Sequence, residues 1–297
     1  MKILIIKYGA SGDVVRTSSL LHLWPNDEIF WLTSSANQAL LDRNKVRVFT
    51  EVMALPDVQF ELVVALEDDT ILIHAIYSHI RYKEAFGAIP MPEGKMSYTS
   101  NGASWFDMSL ISKYGLKRAN QLKLINRRSY QDHLFSGLGF TFSGEEYVLP
   151  SQIPSSPLGG DVAIGAEAGD RWPIKRWAYY AELKAELEKL GYKVNVLPKR
   201  HTLMEHVADI AAHRVVVSND SLPMHIALGL KKPSVAFFTC TPPWEIEDYG
   251  RMTKVVSPLL ERYFYSRERI REGMTAIPFA AGLEATLHKL TNSVRRT

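Results

Sequence analysis

Four short stretches join chemically capable side chains to the small residues and helix starts that can position them. The first is Gly9-Ala10-Ser11-Gly12-Asp13. Small residues let backbone N–H groups approach a ligand, and a helix start favours anions. The stretch is neither a dinucleotide fingerprint nor a Walker loop, because the glycine spacing and the Lys-Ser/Thr pair are missing. Asp13 is by type either the helix N-cap, its commoner use, or a carboxylate base. A helix start also stabilises the carboxylate, which weakens it as a base. The second stretch runs from Gly165 to Trp177 and gathers Arg171, Lys175 and Arg176. These cations suit a diphosphate, lysine as a point charge and arginine as a bidentate fork. The plainer alternative is a solvated basic loop with tryptophan anchors. The third runs from Val217 to His225. Asp220 or Ser221 can cap a helix there, Pro223 is tolerated in its first turn, and the free N–H groups with the Ser221 hydroxyl suit a phosphate. His225 by itself reads as a hydrogen-bonded helix residue. The fourth, from Thr239-Cys240-Thr241 to Tyr249-Gly250, offers hydroxyls and aromatics for a nucleotide, or is an ordinary loop with a buried thiol.

The elements around these stretches alternate. Ile3 to Ile6 is a continuous apolar run, as in a strand buried on both faces. A helix follows with Val14, Thr17, Leu21 and Trp24 on one side and Pro25 as its stop. Glu28–Thr33 and Phe60–Leu66 read as further strands. Ile71–Ile80 reads as helix, 87–105 as loop, and Leu122–Leu138 as one helix. Pro150 to Pro157 has linker composition. The rhythm then restarts, with strands at Asp161–Gly165, Tyr192–Leu197, Arg214–Val217 and Ser234–Phe238. Helices are predicted at Trp177–Leu190, Thr202–Ala212, Ser221–Leu230 and Leu283–Val294. This is an α/β chain with doubly wound parallel sheets. Two such halves joined by a linker predict a ligand cleft at the carboxyl ends of their strands. The expected division is 1–150, 158–280, and a closing helix in 281–297 for which a return toward the first domain is one option.

Composition narrows the classes. Among 297 residues, 35 are Lys or Arg and 32 are Asp or Glu, a net charge of +3. That excess is too small to argue for a nucleic-acid partner. The single cysteine, Cys240, excludes an internal disulfide framework and any multi-cysteine metal site. No run approaches the ~18 apolar residues of a membrane span, and the N-terminus has no signal-peptide core. A cytoplasmic protein is expected. One segment is unusual: Lys113, Lys117, Arg118, Lys123, Arg127 and Arg128 interleave with Tyr114, Leu116, Leu122, Leu124 and Ile125. It reads as a solvated face, a grip for an anionic acceptor, or a peripheral contact with the inner face of the membrane.

The ordered combination resembles glycosyltransferase family 9, the ADP-heptose:lipopolysaccharide heptosyltransferase-like enzymes. Lys7 to Thr17 is similar to its N-terminal signature, Lys175-Arg176-Trp177 to its Lys-Arg/His-Trp element, and Ser218 to Ala227 to its Asn-Asp-Thr-Gly-Pro-Met-His element. Pro242 with Tyr249-Gly250 is similar to the segment that follows. The resemblance implies a GT-B-type architecture, with two Rossmann-like domains whose parallel sheets face a central cleft. The first would be the acceptor side and the second the nucleotide-sugar side. It implies inverting transfer of a heptose or related sugar from a nucleoside-diphosphate-sugar, ADP-heptose-like, to the hydroxyl of a glycan, glycolipid or other acceptor, with no metal and no cofactor. Asp13 would be the general base, with Gly12 and Arg16 on the acceptor side. Arg171, Lys175, Arg176, Asp220, Ser221, His225, Thr239 and Thr241 would bind the donor. Three departures stand out. Leu222 replaces the family's glycine, Arg16 stands where histidine is frequent, and Thr239-Cys240-Thr241 replaces Gly-Pro-Thr. They leave the sugar and acceptor open. The alternatives are a nucleotide-sugar epimerase or hydrolase of the same architecture, and a sugar-nucleotide-binding protein without catalysis.

Overall fold

The computed structural model describes residues 1–169 and 171–294. Asp170, in the basic loop, and residues 295–297, at the end of the expected closing segment, lie outside the described residues. The chain divides into two units, Met1–Ser151 and Gln152–Thr297.

In the first unit, β1 (Lys2–Ile6), β2 (Glu28–Leu32), β3 (Arg47–Phe49), β4 (Gln59–Ala65), β5 (Arg81–Met91) and β6 (Lys95–Tyr98) form one sheet in the order β3-β2-β1-β4-β5-β6. All pairs but β5–β6 are parallel. Ile5 lies between Trp31 and Val64, and the whole run Ile3–Ile6 is buried. Helices α1 (Ser11–Thr17), α2 (Thr70–His79), α3 (Ala103–Phe106), α4 (Leu116–Ile125) and α5 (Tyr130–Gly137) complete the unit.

Two expectations fail here for physical reasons. The Gly/Pro-rich stretch 87–105 is not all loop, since it holds the second half of β5 and all of β6. Gly87 has φ +94°, and a Cβ there would lie 2.1 Å from the Ala65 carbonyl oxygen, so glycine marks close strand approach. Pro90 sits where β5 pairs with the edge strand β6, and Gly94 (φ +67°) closes the hairpin. The single helix expected across 122–138 is two helices. The Asn126 side chain holds both the carbonyl and the N–H of Arg128, at 2.7 and 3.1 Å, and Ser129 accepts the Asp132 N–H at 3.2 Å as the cap of α5.

In the second unit β7 (Gly160–Gly165), β8 (Val194–Val196), β9 (His213–Asn219), β10 (Ser234–Phe238) and β11 (Met252–Val256) form a parallel sheet in the order β11-β10-β9-β7-β8. Its helices are α6 (Tyr180–Lys189), α7 (Leu203–Ala211), α8 (Leu222–Gly229), α9 (Arg271–Thr275) and α10 (Phe279–Val294). The closing helix α10 runs along β9, β10 and β11. Gly282 permits that approach, since a Cβ there would meet the Trp177 ring at 2.5 Å. Trp177 in turn stacks on Phe237 with ring centroids 4.1 Å apart. The edge strands β3 and β11 escaped the sequence reading because both are short and half exposed, so neither shows a buried run.

Candidate functional site

The first candidate group lies in the first unit, where β1 ends. Asp13 is the third residue of α1. Ala10 holds the N-cap position and no side chain caps the helix, so the plainer reading of Asp13 as an N-cap does not hold. Its carboxylate instead pairs with Arg16 one turn on, Oδ1 to Nη2 at 3.0 Å. Asp13 keeps a third of its side chain exposed, whereas Arg16 is buried. The Arg16 guanidinium lies over the Tyr130 ring at 3.9 Å and faces Trp105 at 5.6 Å, and the Tyr130 hydroxyl bonds Thr17 Oγ1 at 2.8 Å. An aromatic floor thus holds the cation that holds the carboxylate. Gly12 sits between Ser11 and Asp13 in the first turn. Ser11 donates to Asn37, and Asn37 donates to the Tyr8 carbonyl, which ties the loop before α1 to its neighbour.

A buried pair lies beneath this loop. Lys7 Nζ donates to Glu67 Oε1 at 3.0 Å and to the Leu66 carbonyl at 3.1 Å. The same Glu67 oxygen accepts the Tyr8 and Gly9 N–H groups, at 2.6 and 3.3 Å. Burial works against the Lys7 charge, but the negative charges of Asp13 and then Glu67 outweigh it and keep the ammonium protonated above its ordinary range. Burial pushes the Glu67 carboxyl up, against the pull of Lys7. Glu67 was not singled out from sequence, and the signal for it was a charged residue directly after a buried strand. Trp105 and Tyr130 carried no signal, because they come from short elements without periodicity.

The second group lies in the second unit at the carboxyl ends of β7, β9 and β10. A 3-10 turn at Pro173–Lys175 presents Lys175, which is half-buried. Its Nζ donates to Asp220 Oδ2 at 2.8 Å and to the Asp220 carbonyl at 3.1 Å. Thr241 Oγ1 donates to the same carboxylate oxygen at 2.7 Å. Burial would raise the Asp220 carboxyl, but Lys175, His225 and the Thr241 hydroxyl hold it far below the usual carboxylate range. Thr239 donates to the Ile174 carbonyl at 2.9 Å and so fixes the turn behind Lys175. Ser221 occupies the N-cap of α8 and spends its hydroxyl on the Asn219 carbonyl at 3.3 Å, not on the helix. His225 is buried within α8.

Asn219 organises this group, although its role was not assigned from sequence. Its Oδ1 accepts from Trp177 N–H and the Tyr180 hydroxyl, and its Nδ2 donates to the Ala166 carbonyl. One buried amide therefore joins the ends of β7 and β9 to the turn carrying Lys175. The signal was its place beside Asp220. Cys240 is a buried thiol pushed up to about 11 by burial. Two predicted donor residues stand apart. Arg171 is exposed and makes no side-chain hydrogen bond or ion pair among the described residues. Arg176 lines a cavity whose walls do not include Lys175, Asp220 or Thr241, because successive residues leaving the turn point in different directions. Among the described residues no three His, Cys, Asp or Glu side chains come together as a metal-holding group, and no helix is long and apolar enough to cross a membrane.

Two parallel-sheet α/β units of this topology are those of GT-B-type glycosyltransferases, and comparison with known proteins bears this out. The chain matches a family 9 glycosyltransferase from Veillonella parvula with a TM-score of 0.65 and 15% identity, covering 98% of this chain and 97% of that one. It matches the E. coli ADP-heptose lps heptosyltransferase II with a TM-score of 0.67 and 15% identity, over 99% and 100% of the two chains. It matches the E. coli heptosyltransferase WaaC, solved with ADP, with a TM-score of 0.63 and 15% identity, over 98% and 100%. At such identities the likeness establishes the fold. A comparison with curated proteins finds no match. Residues 172–269, which hold the Lys175–Asp220–Thr241 group, match the family described as glycosyltransferase family 9 (heptosyltransferase). The chain is thus a glycosyltransferase, and its resemblance is to family 9.

Proposed function

We propose that the protein is an inverting, metal-independent glycosyltransferase that moves a heptose or related sugar from a nucleoside-diphosphate-sugar to an acceptor hydroxyl. The observation that carries this reading is the Lys175–Asp220–Thr241 group, set on strand ends within the segment matching family 9. Relatives of the same fold were solved with ADP and with an ADP-heptose analogue, which favours an ADP-sugar donor. An ammonium has three N–H donors. Asp220 takes two from Lys175, leaving one for a diphosphate oxygen. Thr241 steadies the Asp220 carboxylate that holds Lys175, Ser221 marks the start of α8 beside it, and Thr239 fixes the turn. Asp13, with Gly12 beside it and Arg16 holding its carboxylate, takes the proton of the attacking hydroxyl. As the glycosidic bond to the diphosphate breaks, the leaving charge is offset by Lys175.

Lys175→Met tests the donor assignment. Removing one charge-assisted bond is expected to weaken nucleoside diphosphate binding by roughly 10–100-fold, from about 1.5–3 kcal/mol. Calorimetric titration with ADP reads it, and an unchanged affinity would place the diphosphate elsewhere.

The basic segment of the first unit supports work at the cytoplasmic face of a membrane. Leu110, Tyr114, Leu116 and Ile125 are each more than half exposed, next to exposed Lys113, Lys117 and Arg118. Arg128 is not part of this face, since Asp132 holds it bidentately at 2.6 and 3.1 Å. Replacing Lys113, Lys117 and Arg118 by glutamine is expected to reduce adsorption to anionic vesicles by roughly 1 kcal/mol per cation. Co-sedimentation at low and high salt checks this. Equal sedimentation of variant and native protein at low salt would reduce the segment to a solvated face.

A further inference from the structure

We propose that the second unit carries a second anion site, formed by Arg176, Arg269 and Arg271, that takes the phosphate group of a phosphorylated ligand. The three arginines line one cavity of about 410 Å³ together with Tyr179 and Glu182. That volume lies in the range of small-molecule sites. None of the three makes an ion pair or a side-chain hydrogen bond among the described residues, and Glu182 is the one carboxylate lining the cavity. The neighbouring charges are spent elsewhere. Glu272 is held by Arg262 and the Tyr263 hydroxyl, and Arg267 lies over Trp172 at 5.0 Å. Three exposed arginines line one space with a single carboxylate, an excess of positive charge that an anion would offset. Their planar forks suit phosphate oxygens.

The walls are fixed relative to one another. Ala178 N–H donates to the Met274 carbonyl at 3.0 Å, which links the segment bearing Arg176 to that bearing Arg269 and Arg271. Gly273 lets the two segments close, since a Cβ there would meet Ile174 at 2.7 Å. Tyr179 is steadied by ring contacts with Trp177 and Phe279. Lys175, Asp220 and Thr241 are absent from the lining, so the site is distinct from the proposed donor group and does not depend on the transfer reaction.

The test is calorimetric titration of inorganic pyrophosphate, at low salt, into K175M, in which the donor group is disabled, and into K175M/R269Q/R271Q. The site requires that K175M keep one salt-sensitive binding event and that the two further changes weaken it by at least about tenfold. R176Q on the K175M background, which alters the other wall, must weaken it as well. Near-ultraviolet circular dichroism establishes that each variant is folded. Loss of all pyrophosphate binding in K175M alone, or equal binding in the arginine variants, overturns the proposal. Competition then separates the sources. Displacement by ADP assigns a nucleotide, displacement by a sugar phosphate but not by ADP assigns an acceptor phosphate, and failure of both overturns the site.

Discussion

Asp13→Asn is expected to lower kcat by roughly 10²–10⁴-fold while leaving donor affinity nearly unchanged. The change removes the proton acceptor but keeps a side-chain oxygen for Arg16, which pairs with Asp13 at 3.0 Å in the native protein. Arg16 holds the carboxylate in place in the first turn of α1. Its value as a base rests on position and on strengthening contact with the acceptor as the hydroxyl becomes acidic in the transition state. Steady-state kinetics on a competent donor–acceptor pair, with ADP titration alongside, separates the two effects. Native turnover in Asp13→Asn would remove Asp13 from the chemistry. Loss of ADP binding equal to the loss of turnover would make it a binding residue.

Asp209→Ala is expected to destabilise the second unit by roughly 3–5 kcal/mol, the range for breaking a buried ion pair. Asp209 is almost fully buried and accepts both Arg200 Nε at 2.7 Å and Nη2 at 2.9 Å. It also accepts the Ser156 hydroxyl at 2.5 Å, which ties the proline- and serine-rich connection to α7. The lower end of the range is expected, because Arg200 is a quarter exposed and regains water. Urea titration of the full chain measures the loss. A change below about 1 kcal/mol would contradict the role assigned to the pair. The pH dependence has a definite sign. Burial works to raise the Asp209 carboxyl, but the Arg200 bonds and the Ser156 hydroxyl hold it below its ordinary value. Asp220 is held low by Lys175 in the same sense. The unfolded chain therefore binds protons first on acidification. Stability from both groups is present above about pH 4 and is lost as pH falls. Asp209→Asn should flatten that acid slope, and an unaltered slope would show that the carboxylate is not linked to folding.

What could be read from the sequence follows burial and chain locality. β1, β4, β7, β9 and β10 are buried on both faces, so each shows as an apolar run. The turns after β1, β7 and β9 were legible because small or charged residues follow those runs abruptly. The hairpin of β5 and β6 was not legible, because Gly87 and Pro90 look like loop residues until strand pairing explains them. Within the candidate sites, the partners Lys175, Asp220 and Thr241 were named together, but their convergence depends on Asn219, whose three hydrogen bonds join segments distant in sequence. Arg176 followed Lys175 on sequence adjacency alone, and the turn sends it into another cavity. The support of Asp13 by Arg16, Tyr130 and Trp105 needed tertiary structure, since more than eighty residues separate Arg16 from either ring.

Whether nucleoside diphosphate release requires an acceptor decides between transfer and the alternatives. Purified protein would be incubated with ADP-heptose, with and without a glycan or glycolipid acceptor, in the presence of a chelator, and the products resolved by mass spectrometry and by NMR of the anomeric proton. Transfer as proposed requires ADP released in step with a glycosylated acceptor, inversion at the anomeric carbon, no effect of the chelator, and negligible release without acceptor. Release of ADP and free sugar at the same rate without acceptor, or conversion of the donor to another nucleotide sugar, would contradict it in favour of a hydrolase or an epimerase.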